Sequence, residues 1–164
     1  MPSLYAQKVA KCEAMLNITF SNKLLCLEAL QMSGNMLPWN EQSLKVNKND
    51  RLAVLGDTVL KSYLCKKWYH SGRVKGQWAD AEQTLVRNTN LARIGLNKSL
   101  KECIIDNPGT VRISDKMLAT TVEALIGAAY CDAGDDGLAK AIAAFGLDEH
   151  ESLIAVTYHL SPLP

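Results

Sequence analysis

The chain predicts an all-helical domain, and three stretches carry that prediction. Between residues 48 and 70, Leu52, Leu55, Val59 and Leu60 fall at helical spacing, and Tyr63, Leu64, Trp68 and Tyr69 continue the apolar face. Residues 4–16 set Leu4, Val9, Ala10, Ala14, Met15 and Leu16 in amphipathic order. Residues 114–130 are rich in small and aliphatic side chains, which assigns that helix to the centre of the fold. A length of 164 residues suits one domain with a real core, and 48% hydrophobic against 21% charged residues is an ordinary globular balance.

In chain order, the first helix breaks at Asn17-Ile18-Thr19-Phe20-Ser21. Ser21 can cap a second helix carried by Leu24, Leu25, Leu27, Ala29 and Leu30. A polar loop follows, with Gly34, Pro38 and Asn40 as breakers. The long helix ends at Ser71-Gly72. A polar connection containing Gly76 leads to a helix over about residues 78–95, a short helix at 100–104 and the turn Asn107-Pro108-Gly109. Ser114 or Asp115 can cap the next helix, residues 132–136 turn, and 138–145 form the last regular helix. Residues 152–164 carry no Lys, Arg, Asp or Glu but hold Leu153, Ile154, Val156, Tyr158 and Leu160, so this tail is expected to pack on its own core or on a partner.

The net charge of +1 makes no case for nucleic-acid binding by itself. Its distribution says more: residues 41–75 hold eight Lys and Arg against three acids, and residues 132–151 hold six acids against Lys140 alone. The basic stretch is either a face for phosphate or a solvated surface. Five cysteines (12, 26, 65, 103 and 131), none in a C-x-x-C pair, suit free thiols in a reducing intracellular compartment better than disulfides or zinc. No secretory signal is expected, no run approaches the ~18 apolar residues of a membrane span, and the sequons at Asn17 and Asn97 read as chance matches. His70, His150 and His159 read as surface or capping residues, and Trp39, Trp68 and Trp78 as core or interface.

Two details of the long helix need explaining. Gly56 sits mid-helix, where it costs roughly 1 kcal/mol against alanine and so marks a close approach by another backbone. Asp57 follows it inside an apolar run, where a carboxylate is either held by local partners or holds a metal. The stretch Asn49-Asp50-Arg51-Leu52-Ala53-Val54-Leu55-Gly56-Asp57-Thr58-Val59-Leu60 resembles the signature helix of the ribonuclease III family, N-E-R-L-E-F-L-G-D-A-V-L. Residues 85–92, L-V-R-N-T-N-L-A, resemble the family block L-V-S-N-x-x-L-A. Lys116, Ala119, Glu123, Ala124, Leu125, Ile126, Gly127, Ala128 and Tyr130 match the block K-x-x-A-D-x-x-E-A-L-I-G-A-x-Y.

The resemblance covers roughly residues 8–146 and implies the all-α ribonuclease III endonuclease-domain fold. Residues 1–150 then form the domain and 151–164 the tail, and no double-stranded-RNA-binding domain follows in this sequence. In the family, four carboxylates hold magnesium: two at i and i+4 of the signature helix, two at i and i+3 of the second helix. Here those positions are Ala53, Asp57, Thr120 and Glu123, so the resemblance leaves Asp57 and Glu123 as the remnant catalytic and metal pair. Asp50 and Asp115 lie too far along their helices to substitute. The family's interface phenylalanine is Val54, and the implied dimer surface is Val54, Leu55, Val59 and Leu60. Candidate RNA contacts are Lys45, Lys48, Lys66, Lys67, Arg73 and Lys75. The implied partners are double-stranded or structured RNA, and a second copy or another ribonuclease III-like domain. The favoured expectation is a non-catalytic, dimerising, RNA-associated module with at most weak magnesium binding. The competing one is a magnesium-dependent double-stranded-RNA endonuclease with a weak or rearranged site.

Overall fold

The computed structural model describes residues 1–157. Six helices form the body: α1 (Leu4–Leu16), α2 (Lys23–Leu30), α3 (Asp50–Ser71), α4 (Lys75–Leu85), α5 (Asn88–Asn97) and α6 (Asp115–Ala144). A small hairpin, β1 (Leu37–Trp39) with β2 (Gln42–Leu44), sits between α2 and α3, and 3-10 turns form at Leu100–Glu102 and Glu151–Leu153.

Helix α6 is the axis of the domain, with α2, α3 and α5 packed around it. Its residues Leu118, Ala119, Val122 and Ala124–Ala129 are all buried, as befits a helix apolar on every side. Ser114 caps it, accepting from the Met117 amide at 3.2 Å. The expected turn after it is real but narrower: Ala133 and Gly134 leave helical geometry, and the chain resumes the helix at once. The Asp132 carboxylate just before that kink accepts the Ser21 and Asn22 amides, each at 2.8 Å, and ties the α1–α2 turn to it. The cap of α2 is Asn22 rather than Ser21, because the Asn22 side chain reaches the Leu24 amide at 3.1 Å.

The expected polar loop after α2 contains the hairpin. Asn40 and Glu41 both take positive φ, 46° and 65°, which is the tight-turn geometry that matches strand twist. Leu37, fully buried, pins the hairpin to the core. The expected helix over 78–95 is two helices, α4 and α5. Arg87 is extended at the break, and the Asn90 side chain donates to the Leu85 carbonyl at 2.8 Å across it. Asn49, at the head of α3, is buried; its side chain donates to Ala29 O at 3.0 Å and its amide to Gln31 O at 2.8 Å, which fastens α3 to the end of α2. All five cysteines are free, and Cys12, Cys26 and Cys103 are buried in the core.

The described part of the tail folds back on α3. Leu153 is buried, and the Val156 amide donates to Ser71 O at 3.0 Å. Tyr158, His159 and Leu160 lie outside the described residues. Among the described residues no helix is long and apolar enough to cross a membrane.

Candidate functional site

The crossing of α3 and α6 builds the site. A Cβ on Gly56 would stand 1.7 Å from Glu123 O, and one on Gly127 would stand 2.2 Å from Leu52 O. The helices therefore touch backbone to backbone, and only glycine fits at either position. This contact sets Asp57, beside Gly56, against Glu123, one turn before Gly127. Ala53 and Thr120 lie one turn back on the same faces. All four line one open cleft of about 460 Å³. Residues 50–134, which carry both crossing helices, match the family model described as Ribonuclease III domain. The chain belongs to the ribonuclease III family.

Among its relatives, Ribonuclease 3 of Proteus mirabilis is 33% identical over 76% of this chain and 54% of its own length. That of Acinetobacter pittii is 35% identical over 71% and 51%. That of Photorhabdus laumondii is 30% identical over 82% and 58%. The chain thus spans about half the length of these relatives. The nuclease domain of ribonuclease III from Campylobacter jejuni superposes with a TM-score of 0.71 at 23% identity, covering 86% of this chain and 98% of that one. A second structure of that nuclease domain gives 0.66 at 23% identity, covering 85% and 95%. Both support the same helical fold.

Within this cleft Ala53, Asp57, Thr120 and Glu123 meet, and they bring two carboxylates, a methyl and a hydroxyl. A cation is already present. Lys61, one turn beyond Asp57, donates its ammonium to Asp57 Oδ2 at 2.9 Å. The contact raises the Lys61 pKa, first through that hydrogen bond and further through the charges of Asp57, Glu82 and Glu123, against an opposing burial effect. Glu123 is pushed up to about 7, mainly by burial and then by the Asp57 charge, with Lys61 pulling the other way. Asp50 also lines the cleft, but its position seven residues before Asp57 puts it about 10 Å away along the axis. Asp115 is exposed at the start of α6. Among the described residues no three carboxylate, imidazole or thiol groups converge closely enough to share an ion.

Lys61, Arg87 and Asn88 line the cleft and were not singled out by sequence reasoning. Lys61 carried a usable signal, since it stands at i+4 from Asp57, the spacing of a helical ion pair. Asn88 stood in the block resembling L-V-S-N-x-x-L-A without being assigned a role, and Arg87 replaces the serine of that block.

The expected dimer residues divide. Val54 is 70% exposed at the cleft rim, whereas Leu55 and Val59 are half-buried. Leu60 is fully enclosed by its own chain and leaves no surface for a partner, which removes it from that set. The expected basic face also divides. Lys45 and Lys48 precede α3, while Lys66 and Lys67 lie toward its far end, about 25 Å of helix from its start, and Arg73 and Lys75 follow that end. Lys67 is paired with Asp148 at 3.4 Å, and Arg73 donates to Ile154 O at 2.8 Å. A larger groove of about 590 Å³ lies beside Lys66, Lys67 and His70, but the carboxylate pair is not in it, and the chemistry belongs to the smaller cleft.

Proposed function

We propose that this protein is a degenerate ribonuclease III-like domain without cleavage activity, acting as a dimerising, RNA-associated structural module such as a ribonucleoprotein component. The observation that carries this reading is the donor set of the cleft. Ala53 and Thr120 stand at two of the four family carboxylate positions, leaving Asp57 and Glu123. Phosphodiester hydrolysis by that chemistry requires several oxygen ligands holding hard cations near the scissile bond. Two carboxylates, one of them hydrogen-bonded to an ammonium, are a poor set for it. The residues do not fit the family's magnesium centre, so no reaction step is assigned to a metal here.

Val54, exposed at the cleft rim, supports a two-fold contact along α3, with a second copy or with another ribonuclease III-like domain. The Campylobacter jejuni nuclease domain has structural flexibility in a region involved in dimer formation, and the shared fold supports dimer formation by this chain as well. Structured or double-stranded RNA is the partner that suits exposed Lys45, Lys48, Lys66 and Lys75 together with Arg87. A reducing compartment suits five free thiols.

The deciding experiment incubates the purified protein with long double-stranded RNA and either magnesium or manganese. The RNA should remain intact, and light scattering should give twice the chain mass. Cleavage that needs the metal and disappears in Asp57→Asn would establish the competing enzyme instead.

A further inference from the structure

The lysine in the cleft has a consequence beyond the missing carboxylates. Asp57 and Lys61 occupy one face of α3, one turn apart, and their side chains are only 34% and 42% exposed. Glu123 of α6 lines the same cleft as Asp57 and Lys61, and its charge further favours the ammonium. Thus two helices contribute acids to the cleft that holds one basic side chain. An ammonium is a compact point charge with three donors on a flexible stem, well suited to filling a small acidic site. A divalent ion on Asp57 would have to break the 2.9 Å hydrogen bond and then sit beside the displaced positive charge.

We propose that the Lys61 ammonium is the resident cation of this cleft, and that it excludes divalent ions from Asp57 and Glu123. The inference deepens the non-catalytic reading and rests on it. It assigns the neutralising role to a residue of the chain itself, so the α3–α6 crossing stays assembled without any metal.

The test is manganese titration of the full chain at pH 7.5, read by the electron paramagnetic resonance of free manganese, with melting temperature measured in parallel. The wild type should leave manganese free and show no metal-dependent melting shift. Lys61→Met keeps the stem and removes the charge; it should bind manganese at least about tenfold more tightly than wild type and melt higher with metal than without. Lys61→Arg should retain the exclusion, and adding Asp57→Asn to Lys61→Met should abolish the gain. Lys61→Gln serves as a second neutral variant should Lys61→Met not fold. Wild type binding manganese as tightly as the neutral variants overturns the inference. If that wild type still leaves double-stranded RNA intact, only the lysine's role has failed. If it also cleaves RNA, the non-catalytic reading has failed with it.

Discussion

Gly56→Ala tests the crossing on which the site depends. In an isolated helix this change stabilises by about 1 kcal/mol, because alanine loses less conformational freedom. Here the added methyl would meet Glu123 O at 1.7 Å, Glu123 C at 2.6 Å and Gly127 N at 2.9 Å. Ordinary contact begins at 3.4 Å, so the facing helix must retreat by 3.4 − 1.7 = 1.7 Å. The obstacle is backbone, which cannot rotate aside as a side chain can. Overpacking typically costs 1–3 kcal/mol and more where backbone must move, so a gross cost of about 4 kcal/mol less the 1 kcal/mol of propensity leaves a net loss of about 3 kcal/mol. In a domain of this size that corresponds to a melting temperature roughly 6–12 °C lower. Urea unfolding followed by circular dichroism measures it, with an unchanged m-value showing that stability alone has moved. The control is Gly76→Ala in α4, where nothing lies within 4 Å; it should stabilise by about 0.5–1 kcal/mol. Gly56→Ala lying within about 0.5 kcal/mol of wild type would refute the backbone contact and the placement of Asp57 against Glu123.

Glu123 has its pKa raised from 4.5 to about 7, so the folded state holds a proton that the unfolded chain has lost, and stability falls as pH rises between those values. After allowance for solvent screening the loss is about 1–2 kcal/mol, and Glu123→Gln should match wild type near pH 4.5 but exceed it by that amount at pH 8, in urea unfolding with chelator present. Val54→Asp places a charge on the exposed α3 rim and should halve the mass seen by light scattering at micromolar concentration without changing the melting temperature of the monomer. RNA binding should be weak and salt-sensitive, and Lys45→Ala with Lys48→Ala should reduce the slope of log affinity against log salt by about 2, one per lost phosphate contact; an unchanged slope would place the RNA elsewhere. Restoring Ala53→Glu with Thr120→Asp should give only a small magnesium-dependent gain in melting temperature while Lys61 remains on Asp57, and adding Lys61→Met should enlarge that gain; equal gains in both variants would show that the lysine does not compete with the ion.

The parts of the fold that were legible in the sequence are those whose signal is local and periodic. The long α3 and the buried α6 show their faces in the spacing of their aliphatic residues. Gly56 announced a backbone contact because an internal helical glycine is costly without one. The hairpin at 37–44 was hidden, since its strands are only three residues each and show no clean alternation of buried and exposed positions. The break between α4 and α5 was hidden too. Apolar positions run through Leu85, Val86 and Leu91 as if uninterrupted, and at the break Arg87 is extended while the Asn90 side chain holds the Leu85 carbonyl.

The site divides along the same line. Residues 53, 57, 120 and 123 could be picked out by resemblance to a motif, and the crossing at Gly56 and Gly127 gathers them in one cleft. Lys61 lies one residue beyond the signature stretch, where no motif letter calls attention to it. What gives it meaning is its place in the cleft, with its ammonium on Asp57 of α3 and Glu123 of α6 lining the same space. A motif records which groups a chemistry needs and is silent about a group that opposes it. The cleft offers two carboxylates at Asp57 and Glu123, and the Lys61 ammonium sets a positive charge directly against the first of them. A cation entering the cleft meets that ammonium beside Asp57, so the lysine acts directly on whether an ion can bind there.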